Sequence, residues 1–481
     1  MRIRLLFFFL AFCVTIVFGQ NTDKKVYTLK ECVEIALKNN LTVRRNQLSV
    51  ETAEINLLQS RMTMLPTVNL GGSTGYNWGR SIDPTTNQFI DQRIQNANIN
   101  GNASLLLFNA FRVMNTIRQS VNDKAAADND FTKAKNDVVL TVITNYTSVI
   151  FNRELFQTAQ FQLKTTEQQL ERTKKLEQAG SVPIGNVLDL EAQLATNELN
   201  AVQRENAYNL SLLQLKQALQ LPASTPMEIE VPELGLDEQA LAETSEQIYD
   251  IARQNMPEIK AAVFRVESSN YALKAARGNL FPRLSLNGSA FTNYSSAARI
   301  FNGFTITDPN PVIGFIGSDP TITANQVRSL QPTGQASLIE KPFGDQFSDN
   351  ISRAASISLQ IPVLNGFSAR ASLQRSKVTA DQARVNLTDA ENRLRQAIET
   401  AYNDATAATK TYNSSARAVK AREEAFRMTK QRYDAGATNY VDYQVSENNL
   451  FAAKSDLVRA KYDLIFKKKV LDFYQGKPID Y

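Results

Sequence analysis

Apolar residues recur at helical spacing near the start of each half of this chain of 481 residues. They predict helices over about Leu29 to Met64 and about Gln247 to Leu280. Pro66 and Pro282 follow these stretches and end them, because proline cannot continue a helix. The run Thr28-Leu29-Lys30-Glu31 resembles a capping box, so the first helix should begin there.

After each helical stretch, polar and apolar residues alternate with a period of two. The alternation predicts two strands in each half, listed here in chain order: about 67–79, about 99–108, about 283–294 and about 354–364. Strands of about ten residues cross a bilayer when they are tilted. A half-buried sheet of a soluble protein would alternate in the same way, but the export signal described below favours the membrane. Three aromatic residues near the far ends of the strands suit a lipid interface: Tyr76, Trp78 and Tyr294.

A long helical hairpin follows the strands in each half, predicted over 110–221 and 366–473. The first arm of each hairpin contains no proline. In the second copy, leucine or alanine recurs every seven residues, which indicates supercoiled packing of several helices, at Leu373, Ala380, Leu387, Leu394, Ala401 and Ala408. Gly180 and Gly436 end these arms, so the hairpin tips should lie near them.

The two halves are therefore copies of one repeat. The tip glycines are 436 − 180 = 256 residues apart, whereas Pro66 and Pro282 are 282 − 66 = 216 apart. The second strand pair thus carries 256 − 216 = 40 extra residues, and we expect a long outer loop at 295–350. The predicted domain organisation is a signal peptide at 1–19, a first repeat at 20–221, a linker at 222–245, a second repeat at 246–475 and a tail at 476–481.

Composition narrows the possible functions. A positively charged start and the apolar run from Leu5 to Phe18 are typical of a cleaved export signal, since the run is too short to span a bilayer. The chain contains no histidine, and Cys32 is the single cysteine after the signal, so no internal disulfide can form. The formal net charge is only +5. We therefore expect no enzyme, no cofactor, no metal site and no nucleic-acid partner.

Four strands cannot close a barrel, and an open sheet edge is not tolerated in lipid. Three copies would supply 3 × 4 = 12 strands and would align their helices into a hollow tube. Function would then be conduction, with Asp442 or Asp189 near the tips as candidates for a carboxylate ring at a constriction. The same acids could instead lie on a solvated helix face or offset a helix dipole.

The chain resembles the TolC family of bacterial outer-membrane efflux proteins. The resemblance covers both repeats, and its motifs are short but specific in their order and spacing. They are Ala36-Leu37 with Asn39-Asn40, Leu65-Pro66, Leu107-Phe108-Asn109, Val363-Leu364-Asn365-Gly366, and Gly436 followed by Val441-Asp442 and Leu450.

This resemblance implies a mixed α and β fold. The duplicated helix-strand-strand-helix repeat would form a homotrimer with a 12-stranded transmembrane β-barrel, continued by a long α-helical coiled-coil barrel in the periplasm. The protein would be the outer-membrane exit duct of a tripartite efflux or type I secretion system in a Gram-negative bacterium. It would contact outer-membrane lipid and dock onto a periplasmic adaptor that is coupled to an inner-membrane RND or ABC pump. A secreted structural or adhesive coiled-coil stalk is the alternative.

The resemblance also implies roles for residues at the tips. Gly180, Gly436 and Tyr440 are candidates for the tip turns and for adaptor docking. In the family, two aspartates three residues apart form the periplasmic constriction. Their positions are occupied by Asp442 and Val445 in the second repeat, and by Asn186 and Asp189 in the first, so the acidic ring is incomplete.

Overall fold

The computed structural model describes residues 26–82, 87, 89–91, 93–231, 243–319, 321, 323 and 326–477. The predicted signal peptide lies outside these residues, and so do parts of the predicted linker and tail. The described residues form two compact units. The helical unit contains residues up to 55, 121–269 and 379 onward, and the strand unit contains 56–120 and 270–378.

The long helices of the two repeats begin and end at equivalent residues. The first arms are α3 (Arg112–Gln178) and α8 (Ser368–Asp434), each of 67 residues. The second arms are α4 (Ile184–Ala218) and α9 (Tyr440–Tyr474), each of 35 residues. Both pairs are offset by the same number of residues, 368 − 112 = 440 − 184 = 256. The offset read from the tip glycines is thus the offset of the whole hairpin.

Each stretch that the sequence predicted as one helix is broken into two. The helices are α1 (Leu29–Asn39), α2 (Leu41–Met62), α5 (Ser245–Asn255) and α6 (Pro257–Gly278). The breaks fall at Asn40 and Met256, which have extended backbones with ψ of 125° and 129°. Pro257 disfavours a helical conformation at Met256. Asn40 breaks the first copy because its side chain accepts a hydrogen bond from the Thr42 backbone at 2.8 Å and so caps α2.

The predicted capping box at the start of α1 is confirmed. The Glu31 backbone N–H donates to Thr28 Oγ1 at 3.1 Å, and the Thr28 N–H donates to Glu31 Oε2 at 3.1 Å. Thr244 caps α5 in the same way, with Gln247 as its partner. Two otherwise unsatisfied donors are thereby paired at the start of each repeat.

The four long-helix arms, α3, α4, α8 and α9, all end in the same left-handed turn. In each turn a residue of positive φ follows the helix, and the next N–H donates to a carbonyl five residues earlier, as Ser181 does to Leu176 at 2.8 Å. Glycine supplies the positive φ at Gly180, Gly436 and Gly476. The fourth turn has Gln220 instead, with φ of 57°.

Replacing Gln220 with glycine should therefore stabilise the protein. An L-residue in the left-handed region costs roughly 1 kcal/mol, and glycine does not have this cost. We expect a higher unfolding temperature for Gln220→Gly in purified protein. Gln217→Gly is the matched control, because this exposed residue lies inside α4. A glycine there should destabilise the helix by about 1 kcal/mol. Equal effects of the two variants would contradict the prediction.

The helical unit has two apolar cores, each built around the short first helix of one repeat. The α1 core includes Cys32 and Ala36, which pack with Tyr146 of α3 and Leu215 of α4. The α5 core packs that helix against α8 and α9, and Ile398 is fully buried in it. A parallel strand pair, β1 (Val26–Tyr27) and β6 (Glu228–Ile229), borders the first core. These cores fix the middle of α3 and α8 and the C-terminal parts of α4 and α9.

The strand unit contains a four-stranded antiparallel sheet in the order β12-β7-β5-β2. Its strands are β2 (Thr67–Asn77), β5 (Ile94–Phe108), β7 (Arg283–Ser295) and β12 (Ser352–Gln360). The last strand ends at Gln360, whereas the alternation predicted an end near 364. Pro362 lacks the N–H that a continued ladder needs, which explains the earlier end.

One face of this sheet is apolar and the other is polar. Leu105, Leu286 and Ile357 are directly opposite one another on neighbouring strands of the apolar face. On the polar face, Ser104 donates to Asn287 Oδ1 at 3.0 Å, and the Asn287 amide donates to Ser358 at 2.9 Å. The predicted alternation thus sorts side chains by face across the four strands.

The loops at the far end of the sheet are structured. The connection between β2 and β5 carries a short pair, β3 (Arg80–Ile82) and β4 (Phe89–Asp91). The long polar connection expected at 295–350 is in fact largely strand and helix. Its elements are β8 (Arg299–Asp308), β9 (Val312–Phe315), β10 (Gln326–Arg328), β11 (Thr333–Glu340) and α7 (Phe343–Asp349). The prolines of this segment that the structure describes lie between these elements, whereas most of its glycines lie inside them.

Candidate functional site

The tips of the two helical hairpins form the candidate site. Gly180 and Gly436 lie in the turns with φ of 73° and 72°, and both are exposed. No atom lies within 4 Å of a Cβ built at either glycine, so the backbone conformation alone demands glycine. The following helices start differently, because Asn439 caps α9 through its side chain while Pro183 gives α4 no side-chain cap. The second tip is therefore the better-fixed turn.

A cluster of aromatic rings lies directly behind the second tip. The Tyr433 and Tyr443 ring centroids are 4.9 Å apart, Phe426 lies 5.5 Å from Tyr443, and Tyr440 lies 6.2 Å from Tyr433. Val187 and other apolar residues of the first repeat pack against these rings. Burial raises the pKa of all three phenols, so they remain neutral at physiological pH. The cluster ties the second tip to the first by apolar contact.

Polar contacts link the same helices. Lys174 of α3 pairs with Glu191 of α4 at 2.7 Å, and Arg172 lies 3.6 Å from Asp434 at the end of α8. The Gln444 amide of α9 donates to Gln193 of α4 at 2.6 Å. The ion pairs are exposed and individually weak. The Lys174–Glu191 pair joins the two arms of the first hairpin, whereas the Arg172–Asp434 and Gln444–Gln193 contacts join the two repeats at the tip.

The predicted constriction residues lie near the tip surface. Asp442 is exposed in the first turn of α9, where its N–H donates to Asn439 Oδ1 at 2.8 Å and its carboxylate accepts from Thr438 at 2.9 Å. That position lets the acid offset the helix dipole while keeping its charge in solvent. Asp189 is exposed and Asn186 is partly exposed on α4. Their role in a constriction stays a prediction.

Tyr440 is placed differently from the expectation. Its side chain is only 5% exposed and packs in the aromatic cluster. It is thus not available as a docking contact, and it supports the turn from inside. The spacing in the sequence is consistent with this packing, because Tyr433 and Tyr440 flank Gly436 and would meet when the helices fold back at that turn.

One carboxylate in the cluster was not expected from the sequence. Glu447 is partly buried beside Tyr443, whose hydroxyl lies 3.4 Å from Glu447 Oε1. Its counterpart in the first repeat is Glu191, because 447 − 256 = 191, and that residue has an ion pair with Lys174 instead. Burial raises the pKa of Glu447, although Tyr443 and Lys430 act in the opposite direction.

Glu447 should make the stability of the tip depend on pH. Because its pKa is raised in the folded protein, the stabilisation is full below the usual glutamate pKa and is lost as pH rises through the raised value. We expect Glu447→Gln to flatten the pH dependence of thermal unfolding and to raise the unfolding temperature at neutral pH. Glu191→Gln is the matched control and should leave the pH dependence unchanged, since it removes an exposed pair. A wild-type pH profile in Glu447→Gln would contradict this expectation.

The predicted interface aromatics lie at one end of the sheet. Tyr76 and Trp78 are exposed, with ring centroids 6.1 Å apart, and Tyr294 packs 5.1 Å from Phe343. The described part of the chain contains no helix long and apolar enough to cross a membrane. Contact of these aromatics with lipid stays a prediction.

Comparison with known proteins places this geometry in a family. The profile of the outer membrane efflux protein family matches residues 32–220 and 248–474. The toluene efflux pump outer membrane protein TtgF of Pseudomonas putida is 24% identical over 57% of this chain, and the match spans about half (56%) of the length of TtgF. The outer membrane efflux protein BepC of Brucella suis is 20% identical over 91% of this chain and 83% of its own length.

A solved structure shows the same fold. The outer membrane protein VceC of Vibrio cholerae superposes with a TM-score of 0.73 and 16% identity, covering 94% of this chain and 97% of VceC. The predicted mixed fold with a duplicated repeat is confirmed by this likeness. The expectation that the chain is no enzyme agrees with a family of efflux proteins. Since the profile matches most of both repeats, the chain belongs to the outer membrane efflux protein family.

Proposed function

We propose that the protein is the passive outer-membrane duct of an efflux or secretion system and acts as a homotrimer. The main support for this proposal is the sheet, with its free edges and its exposed apolar face. Both of its edge strands, β2 and β12, have one side without a strand partner among the residues that the structure describes. Leu70 on its apolar face is 81% exposed. Pairing β12 of one copy with β2 of the next would satisfy the edges, and lipid would cover the apolar face.

The helices offer a second argument for assembly between copies. On α2 a row of exposed apolar residues repeats every seven positions, at Leu41, Leu48, Ile55 and Met62. On α8 the exposed Val378 and Val385 have the same spacing. Heptad stripes that a single chain leaves exposed are typical of helices that pack against another copy. In the chain, α2 immediately precedes β2 and α8 is the first long helix after β12, so both stripes belong to helices that are neighbours of the edge strands in sequence.

Cysteine pairs across the proposed boundary test the trimer. Asn69→Cys on β2 is combined in turn with Ala354→Cys, Ser356→Cys, Ser358→Cys and Gln360→Cys, which lie on the same face of β12. Within one chain Asn69 and Ala354 are three strand spacings apart, about 14 Å. A disulfide needs Cα atoms within about 7 Å, so it can form only between copies. We expect oxidised dimers and trimers for at least one pair, and none from the single variants.

A soluble protein would give different results in these experiments. A stalk whose sheet faces water should be extracted without detergent and should give monomers in every pair. The exposed apolar face of the sheet does not favour that alternative, because contiguous apolar surface of this kind is costly in water.

The tips would complete the duct on the periplasmic side. The turns at Gly180 and Gly436 are exposed and suit contact with an adaptor, which would connect the duct to an inner-membrane RND or ABC pump. Asp442 would lie at the constriction, with Asp189 and Asn186 in the first repeat. Chemical cross-linking in cells, followed by identification of the captured inner-membrane protein, would test the partner; absence of any such protein would count against docking.

A further inference from the structure

The segment between β7 and β12, residues 296–350, is called the insert here. Its base is fixed to the sheet by Gln346, which is fully buried. The Ser295 N–H donates to Gln346 Oε1 at 3.0 Å, and Gln346 Nε2 donates to the Ser295 carbonyl at 3.0 Å. The side-chain amide thus replaces a strand partner. The Asn350 side chain donates to the Asn293 carbonyl at 2.7 Å, so the base is held at the middle and at the C-terminal end of α7.

The β8–β11 hairpin extends from this base and leaves apolar side chains uncovered. Phe301 is 64% exposed, and Ile306 and Leu338 are also exposed. The strands fit closely, since a Cβ at Gly334 would lie 2.4 Å from the Phe304 ring. A two-stranded hairpin cannot bury its own faces and is at best marginally stable alone. Exposed apolar residues grouped in this way are typical of a surface that another protein segment covers.

A second uncovered apolar group lies at the same end of the sheet, on the opposite edge. It belongs to the first outer hairpin, which comprises β3 and β4. Phe89 is 69% exposed there, and Ile82 and the preceding Trp78 are exposed as well. The antiparallel register places the start of β12 and the end of β2 at one end of the sheet, so both hairpins extend beyond that end.

We propose that the β8–β11 hairpin packs on the first outer hairpin of a second copy of this chain. The inference rests on the proposed trimer, in which β12 of one copy pairs with β2 of the next. The insert adjoins β12, and the first outer hairpin continues β2, so that pairing brings the two apolar groups together across the boundary. Lipid is a poorer occupant, because the predicted interface residues Tyr76 and Tyr294 lie at this end of the sheet, and both hairpins extend beyond it.

A cross-link between the two hairpins tests this contact. Asn302→Cys on β8 and Arg80→Cys on β3 are combined in a Cys32→Ala background, which keeps the α1 core apolar, and treated in intact outer membranes with a short bismaleimide. Both positions are exposed, so the substitutions should not impair folding. We expect cross-linked dimers and trimers to replace the monomer on denaturing gels. Each single variant should remain monomeric.

Two further outcomes would overturn the inference. If the chain stays monomeric and mass spectrometry of its digest finds one bismaleimide bridging positions 302 and 80, the hairpins meet within one copy. If each thiol instead carries a separate bismaleimide that has reacted at one end only, the hairpins do not meet at all. The cysteine pairs between Asn69→Cys and β12 test the trimer independently. If those pairs cross-link but the hairpin cysteines do not, the trimer stands and only the hairpin contact is wrong. Failure of both sets would overturn the trimer and the hairpin contact together.

Discussion

Replacing Tyr443 with alanine should make cells permeable to antibiotics that are normally too large to cross the outer membrane. Tyr443 is 5% exposed and contacts Tyr433, Tyr440 and Phe426 at the second tip. Truncating a buried aromatic ring costs about 3–5 kcal/mol, from lost burial and the cavity left behind. That loss is concentrated where the four helices of the tip meet. We expect a higher single-channel conductance in planar bilayers and lower inhibitory concentrations of bulky antibiotics.

Tyr443→Phe is the matched control for this prediction. It keeps the ring and removes a hydroxyl whose hydrogen bond to Glu447 is long, at 3.4 Å. The phenylalanine variant should therefore conduct like the wild type. If alanine and phenylalanine variants conduct alike, the aromatic cluster does not hold the tip closed. Trimer yield on native gels must be measured in parallel, because a loss of assembled protein would also change sensitivity.

Asp442→Asn separates charge from packing in the same measurement. The exposed carboxylate takes no part in the aromatic cluster, and asparagine retains an acceptor for the hydroxyl of Thr438. We expect weaker block by divalent cations with little change in conductance, because a ring of three carboxylates would attract cations. Unchanged block would remove Asp442 from the proposed constriction.

The helices and principal strands could be predicted from the sequence because their signals are local. A period of two defined β2 and β5, and the glycines at the tips placed the ends of α3 and α8. The break at Met256 also had a local signal in Pro257, although the apolar periodicity continued across it. Apolar periodicity identifies a helix from many residues taken together, so it does not locate a single extended residue between two helices.

The insert and the tip cluster could not be predicted in the same way. The insert is organised by Gln346, whose partner Ser295 is 51 residues away in the chain. No sequence period marks such a contact. At the tip, the environment of Glu447 depends on Tyr443 and on the first repeat packed beside it. The duplication gave a partial guide, since Val187 occupies the position of Tyr443 in the first repeat. The aromatic cluster is thus confined to one copy.

An arginine at Leu70 should prevent stable assembly in the outer membrane. Leu70 lies on the apolar face of β2 and is 81% exposed in the single chain. If that face contacts lipid, arginine near the bilayer centre costs about 2–4 kcal/mol, and three copies multiply the cost. We expect Leu70→Arg to lower the amount of heat-resistant trimer in outer-membrane fractions severely. Immunoblots of unheated and heated samples would measure it.

Asn69→Arg distinguishes lipid contact from a general intolerance of charge in this strand. Asn69 is the preceding residue, and its side chain lies on the polar face opposite Leu70. In a water-filled lumen an arginine there changes the selectivity of conduction but has little effect on stability. Trimer from Asn69→Arg should accordingly reach wild-type amounts and show altered ion selectivity. If both variants assemble normally, Leu70 does not face lipid, because water would accept arginine on either face of an exposed strand. A loss of trimer in both variants would instead indicate that both faces of β2 are buried. Because Leu70 is exposed in the single chain, a neighbouring protein would then have to cover it.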